Sequence, residues 1–116
     1  MNLYWNKCQG EVWCKLGTVN LSHQHFDHMD GVYVIWHGGQ TPKTVYVGQG
    51  VIRDRLTAHR TDARIQAYST LTLYVTWAAV DASSRNGAEV YLANRLAPIV
   101  GENYPNVAPI EVNLPW

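Results

Sequence analysis

The alternation of apolar and polar residues predicts strands in several segments of the chain. Residues 31–36 and 44–50 alternate most clearly, and two glycines and a proline lie between them. Because turn-forming residues between two alternating runs are typical of a hairpin, we expect these two strands to pair antiparallel. Residues 71–80 predict a third strand. Residues 13–21 predict a shorter strand, followed by the polar, histidine-rich loop at residues 22–30.

Two further segments have the spacing of amphipathic helices. Apolar residues recur every three or four positions over residues 51–67, and a second helix over residues 84–97 ends before Pro98. This order of elements predicts an α+β fold, in which a small, largely antiparallel three-stranded central sheet carries both helices on one face. The N-terminal strand and loop form an extension, and residues 108–116 contain a short C-terminal edge segment.

Length and composition fit a single domain over residues 1–116, with its core at about 31–98. Hydrophobic residues make up 47% of the chain and include five tryptophans and seven tyrosines, which excludes a disordered segment. Nine basic residues balance nine acidic residues. A net charge of zero argues against a protein that binds nucleic acid mainly through bulk electrostatic attraction, so any phosphate contact must depend on local clusters of cations.

The chain also lacks the features of a membrane or secreted protein. No apolar run approaches the roughly 18 residues of a membrane-spanning helix, and Lys7, Glu11 and Lys15 interrupt the opening segment. We therefore expect a soluble, cytoplasmic protein with no membrane partner. Cys8 and Cys14 are too few for a disulfide scaffold, so we expect both thiols to be reduced.

The strand phases predict that two tyrosines share one face of the sheet. Tyr33 lies in the opposite phase to Val32 and Val34, and Tyr46 lies in the opposite phase to Val47. If the two strands are neighbours, both phenols project from the same side. Paired tyrosines are also ordinary cross-strand packing, so the pair alone does not indicate a function.

Further residues follow these tyrosines in a definite order. The set consists of Gly31-Val32-Tyr33, Tyr46-Val47-Gly48, Arg55-Leu56 with His59 one turn later, and Glu89 followed by Leu92 and Pro98. In its order and spacing the set resembles the signature of the GIY-YIG nuclease family. The resemblance covers roughly residues 31–98 and implies a GIY-YIG-like domain.

The resemblance implies divalent-metal-dependent hydrolysis of DNA phosphodiester bonds. Glu89 would hold one ion, Mg²⁺ or Mn²⁺, and Arg55 would stabilise the charged transition state. Tyr33 or Tyr46 would orient or deprotonate the attacking water. His59 would be a catalytic residue, although a hydrogen-bonded core histidine is an equal alternative.

The helical periodicity adds expectations that do not depend on the resemblance. Arg55 and His59 lie at one edge of the apolar stripe of the first helix and should face the tyrosines, whereas Arg53, Arg60 and Arg64 follow the opposite edge. That second row should face solvent or DNA phosphates. We also expect the two tyrosines, Arg55 and Glu89 to converge on one concave surface. Glu89 borders the core and needs a partner, which a metal ion or Arg55 could provide.

Two alternative functions remain. A non-catalytic binding or structural module with the same fold is favoured by the neutral net charge and by Gly101, which stands where the nuclease family often has an asparagine.

A zinc metallohydrolase is suggested by four residues whose HxHxDH pattern resembles the zinc-ligand motif of the metallo-β-lactamase fold, namely His23, His25, Asp27 and His28. Cys8 and Cys14 are further candidate ligands. The chain is about half the length which that fold needs, so structural zinc or a plain polar loop fits these residues better.

Overall fold

A computed structural model describes all 116 residues, from Met1 to Trp116. The strands are β1 (Cys14–Lys15), β2 (Asp30–His37), β3 (Lys43–Val51) and β4 (Leu73–Ala79). The helices are α1 (Ile52–His59), α2 (Ala63–Gln66) and α3 (Ala82–Leu96), with short 3₁₀ turns at Gln24–Phe26 and Ser69–Leu71. The predicted α+β fold is confirmed. None of the helices has the length and apolarity needed to span a bilayer.

The four strands form one antiparallel sheet in the order β1-β4-β2-β3. The predicted hairpin of β2 and β3 is confirmed, but the predicted number of three strands is wrong, because β1 pairs with β4 as a fourth. The predicted C-terminal edge strand is also wrong, since no strand or helix follows α3. Prolines at positions 105, 109 and 115 lack the backbone N–H that a ladder needs.

Both faces of the sheet are buried, so the expectation that both helices cover one face is wrong. On one face, Tyr33 and Ile35 pack with Ile52 and Leu56 of α1. On the other face, residues of β2 and β3 pack with α3, in the set Val32, Val34, Val47, Ala88 and Leu92. The continuous apolar run of β2 needs cover on both sides, as is typical of a central strand.

The first predicted helix is divided into two. α1 ends at His59, and Asp62 caps α2 because its carboxylate accepts a hydrogen bond from the backbone N–H of Arg64 at 3.0 Å. The end of the second predicted helix is confirmed. Ala97 takes a left-handed conformation with φ 47°, and Pro98 then prevents any continuation of α3.

Cys8 and Cys14 form a disulfide, contrary to the expectation of reduced thiols. A tight turn brings them together, since the N–H of Cys8 donates to the carbonyl of Val12 at 2.8 Å and Gly10 and Glu11 have positive φ. Disulfides persist mainly in oxidising compartments, so this bond does not support the predicted cytoplasmic location. That location stays an untested prediction.

Candidate functional site

The two tyrosines of the motif lie side by side on the α1 face of the sheet. Their rings stack with centroids 6.0 Å apart and planes 21° apart, which confirms the prediction of a common face. Gly48 pairs with Tyr33 across the β2–β3 ladder. A methyl group on Gly48 would stand only 2.3 Å from the Tyr33 hydroxyl oxygen. Glycine at position 48 is therefore required for the phenol of Tyr33 to reach its place.

The hydroxyl of Tyr33 links this pair to α1. It lies 2.6 Å from Nε2 of His59, and it accepts a longer hydrogen bond of 3.4 Å from Nε of Arg55. The tautomer of the His59 ring determines which of the two groups donates in the 2.6 Å hydrogen bond. The predicted orientation of Arg55 and His59 towards the tyrosines is confirmed, since one turn of α1 separates them.

Burial determines the ionisation of both partners. It raises the pKa of Tyr33 to about 12, although the hydrogen bond and charge of Arg55 act in the opposite direction. Burial, followed by the positive charge of Arg55, lowers the pKa of His59 to about 4. Both groups are therefore neutral at pH 7. The buried Nδ1 of His59 has no hydrogen-bond partner, and its nearest carboxylate oxygen, from Asp62, is 3.9 Å away.

Glu102 contacts the second tyrosine, a contact that no pattern in the sequence predicts. The Tyr46 hydroxyl donates to Glu102 at 2.8 Å, and a guanidinium nitrogen of Arg64 donates to the same oxygen at 3.4 Å. Burial raises the pKa of Tyr46, and the hydrogen bond to Glu102 raises it further. The carboxylate of Glu102 thus links Tyr46 to Arg64.

Tyr104 is a second residue that sequence reasoning missed. Its hydroxyl donates to the carbonyl of Val47 at 3.4 Å, and its pKa is raised to about 12 by burial and by the charges of Glu89 and Glu102. Residues 97–116 have no repeating pattern of apolar positions from which such contacts could have been predicted. The only available signal was an acidic and an aromatic residue shortly after the Pro98 of the motif.

Glu89 approaches the cluster from the opposite layer of the molecule. It belongs to α3, is 8% exposed, and accepts one hydrogen bond, from Nε2 of Gln49 at 3.1 Å. Burial raises its pKa, whereas the Gln49 bond and the charge of Arg55 lower it. Gln49 lies on the edge strand β3 in phase with Val47, which packs on the α3 face, so Glu89 contacts the sheet from the face opposite to the tyrosines. The partner of this carboxylate is an amide rather than Arg55.

The donor set fits a magnesium ion bound through one carboxylate. The second oxygen of Glu89 has no hydrogen-bond donor in the protein. Mg²⁺ commonly binds to one or two carboxylates and retains several waters, so Glu89 alone is a sufficient anchor. No three His, Cys, Asp or Glu side chains are grouped in a way that would enclose a metal ion. A site that depends on Glu89 would therefore complete its coordination shell with water and substrate oxygens.

The cluster does not line any of the three principal cavities of the protein. Tyr33 is fully buried and Tyr46 is 3% exposed. The two tyrosines come together with Arg55 and His59 on the α1 face, whereas Glu89 contacts the sheet from the α3 face. The convergence of Glu89 with the others on one concave surface stays a prediction.

The row of arginines on the other edge of α1 has mostly internal partners. Arg53 donates to the carbonyl oxygens of Leu21 and His23 at 2.7 and 3.0 Å and pairs with Asp27 at 2.8 Å. Arg60 donates to the carbonyl oxygens of the N-terminal segment at Leu16 and Val19. These bonds attach the N-terminal segment to α1. Contact of Arg53 and Arg60 with nucleic acid stays a prediction.

Arg64 is the most exposed of the three arginines. Its side chain is 54% accessible, and it pairs with Asp62 at 2.9 Å and with Glu102 at 3.4 Å. Since it shares Glu102 with Tyr46, it is the member of the row that adjoins the tyrosine cluster.

The histidine loop does not converge on a common point. Nδ1 of His23 accepts from the backbone N–H of His25 at 2.9 Å, and Nε2 of His25 accepts from the indole N–H of Trp77 at 3.0 Å. Asp27 pairs with Arg53, and His28 has a left-handed backbone with φ 59°. Because a metal needs the imidazole lone pairs that these hydrogen bonds use, zinc binding would require both histidines to rearrange.

No protein-family model, curated protein or solved structure matches the chain. The resemblance to GIY-YIG nucleases therefore rests on the motif residues and their spacing.

Proposed function

We propose that this protein is a divalent-metal-dependent endonuclease that hydrolyses DNA phosphodiester bonds. The observation that supports it best is the Tyr33 hydroxyl, which is held between Nε2 of His59 and Nε of Arg55. A phenol, a neutral imidazole and a guanidinium in contact are suited to moving one proton beside a developing negative charge. DNA as the substrate class comes from the resemblance.

In the proposed reaction, Tyr33 and His59 carry the proton of the attacking water. In this reaction His59 carries its resting proton on Nδ1, so Nε2 is free to accept a second proton. The water donates to the Tyr33 oxygen as the Tyr33 proton moves to Nε2 of His59. The water oxygen forms the new bond to phosphorus, the bond to the leaving oxygen breaks, and that oxygen takes a proton from solvent. With pKa values of about 12 and about 4, the separated phenolate and imidazolium are not resting species, so the proton moves only as the nucleophile attacks.

The remaining residues bind and orient the scissile phosphate. The guanidinium of Arg55 faces the phosphoryl oxygens as their charge increases, and Tyr46 and Arg64 contact the phosphate once Glu102 has moved away. Glu89 would hold one Mg²⁺ or Mn²⁺ ion, which when bound supplies positive charge at the phosphoryl oxygens.

Cleavage of supercoiled and linear DNA in Mg²⁺ or Mn²⁺ tests this proposal. Glu89→Gln preserves the size of the side chain and removes its charge, so we expect cleavage to fall by roughly two orders of magnitude or more. Arg55→Ala should lower the rate by a similar factor because a preorganised cation is lost. Glu111→Gln is the matched control, since Glu111 is an exposed carboxylate outside the cluster. Unchanged cleavage by Glu89→Gln would contradict the proposal.

A non-catalytic DNA-binding module is the second candidate. It is favoured by the hydrogen bond from Tyr46 to Glu102, which occupies a hydroxyl that catalysis would need. The same experiment separates the two functions. If the wild-type protein binds DNA but cleaves none of these substrates with either metal, the binding module is supported and the nuclease is not.

A further inference from the structure

The principal cavity of the protein lies at the α3 face of the sheet, on the side opposite to Tyr33. Its volume is about 550 Å³, which is within the usual range of small-molecule sites. Three of the five tryptophans line it, namely Trp13, Trp36 and Trp116. The charged residues that line the cavity are Lys43 and Arg95. The proposed endonuclease site uses none of these residues.

The three tryptophans form an aromatic wall with rings at steep angles to one another. Trp13 and Trp36 are 5.2 Å apart at 90°, and Trp36 and Trp116 are 4.9 Å apart at 64°. Trp36 is only 8% exposed and also stacks on Tyr74 at 5.8 Å, so most of the accessible ring surface belongs to the other two tryptophans. Trp116 is 58% exposed, which is a large apolar area to leave in water. Planar aromatic groups are the ligands that such walls bind best.

The two charged side chains that line the cavity are both cations. Neither Lys43 nor Arg95 forms a salt bridge, and no acidic side chain lines the cavity. The Arg95 guanidinium lies 5.6 Å from the ring centroid of Tyr91 and donates to its hydroxyl at 2.6 Å, so an uncharged group orients it. In a chain with zero net charge, two unpaired cations beside one cavity select an anion.

We propose that this cavity binds a nucleotide with a terminal phosphate. The base would stack on the tryptophans, and the phosphate would contact Lys43 and Arg95. A phosphomonoester carries a charge of roughly −1.5 to −2 at pH 7, which matches two cations better than a carboxylate does. Arginine also binds phosphate through two parallel hydrogen bonds. The nucleotide can be free or at the 5′ end of a DNA strand, since the recognised chemistry is the same.

Quenching of tryptophan fluorescence by thymidine 5′-monophosphate tests the proposal. We expect saturable quenching, and binding weaker by roughly tenfold or more for thymidine, which has no phosphate. The double variant Lys43→Gln/Arg95→Gln should lose a comparable factor. Lys15→Gln, at an exposed lysine outside the cavity, should bind as the wild type does. Trp116→Ala should weaken the binding of both thymidine and its monophosphate, because it removes part of the stacking surface.

Binding of further ligands distinguishes a free nucleotide from a strand end and tests the alternatives to a nucleotide. A 5′-phosphorylated thymidine oligonucleotide that binds as tightly as the free nucleotide, with its unphosphorylated form weaker, identifies a strand end. Binding of the free nucleotide alone identifies a small-molecule site, and either result supports the proposal. Equal affinity for indole-3-acetate, equal affinity for thymidine, or no saturable quenching overturns it. Circular dichroism of each variant shows that a loss of binding is not a loss of fold.

Discussion

His59 is a buried neutral histidine whose pKa of about 4 makes the stability of the protein depend on pH. Its pKa in the unfolded chain is about 6.5, so between these values the unfolded state binds more protons than the folded state. The free energy of unfolding should therefore rise with pH from about 4 to about 6.5. His59 should account for about 3 kcal/mol of this rise.

Urea unfolding of the wild type and of His59→Gln across this pH range measures the contribution of His59. The variant lacks the ionisable group, so the pH slope assigned to His59 should disappear whatever its absolute stability. His28→Asn is the control, because His28 is exposed and asparagine tolerates its left-handed backbone. Identical slopes for the wild type and His59→Gln would contradict the assignment.

Gly48→Ala tests the close approach of Tyr33 to the neighbouring strand. The new methyl group would stand 2.3 Å from the Tyr33 hydroxyl oxygen and 2.5 Å from Cζ, so a strand or a ring must shift. We expect the free energy of unfolding to fall by about 1–3 kcal/mol, as is typical of overpacked cores. Gly17→Ala is the matched control because no atom lies within 4 Å of its added methyl group.

The loss should be smaller when Gly48→Ala is introduced into a Tyr33→Phe background, since the closest atom is then absent. The recovery should be partial because Cζ remains. A Gly48→Ala protein as stable as Gly17→Ala would show that the ring moves freely.

The sequence predicted which site residues lie close together where those residues belong to regular strands and helices. The period of two in β2 and β3 placed Tyr33 with Tyr46, and the helical period placed Arg55 with His59. Glu102 and Tyr104 could not be predicted, because they belong to an irregular segment whose path depends on tertiary packing. The hydrogen bond from the side-chain amide of Gln49 to Glu89 could not be predicted for a different reason. Strand alternation indicates the face on which a side chain lies, but not the residue that it contacts.

The elements themselves were predicted better than their arrangement. β2, β3, β4 and α3 occur where the patterns indicated them, whereas β1 is shorter than predicted and the C-terminal edge strand is absent. Nothing in the pattern showed that Asp62 would cap a separate α2. The placement of helices on two faces could have been inferred, since Val32 and Tyr33 begin an apolar run that no single face could bury.

The Cys8–Cys14 disulfide should stabilise the N-terminal segment that carries β1. Closing so short a loop restricts the unfolded chain, which is worth roughly 2 kcal/mol in the chain-entropy model. We therefore expect the urea midpoint of the wild type to fall when a dithiol reductant is added. The double variant Cys8→Ser/Cys14→Ser should have the lower midpoint in both conditions. A wild-type midpoint that reductant does not change, with free thiols confirmed by titration, would contradict this prediction.

For the whole molecule, the balance of charges predicts weak electrostatic attraction to DNA. The net charge is zero, and Arg53 and Arg60 are held by carbonyl oxygens of the N-terminal segment. Arg55 and Arg64 are the arginines beside the tyrosine cluster that could contact a phosphate. The affinity for DNA should therefore decrease with salt concentration as expected for a protein that neutralises about one or two phosphates.

Fluorescence anisotropy of labelled DNA over a range of salt concentrations gives this slope. Arg64→Gln should reduce it by about one, and Arg60→Gln should not change it. A slope that corresponds to about six phosphates or more would show that the surface of the protein presents cations which the structure assigns to internal bonds.

The two helices on opposite sides of the sheet give the proposed site two separable halves. Tyr33, His59 and Arg55 form a hydrogen-bonded unit that α1 and the sheet hold without any help from α3. Glu89 belongs to α3 and contacts the sheet through Gln49 of the edge strand β3. A small slide of α3 along β3 would therefore move the carboxylate while the hydrogen bonds of the first half stayed intact. If the proposed function is correct, substitutions in α3 should change cation affinity and substitutions in α1 should change proton transfer, each without the other.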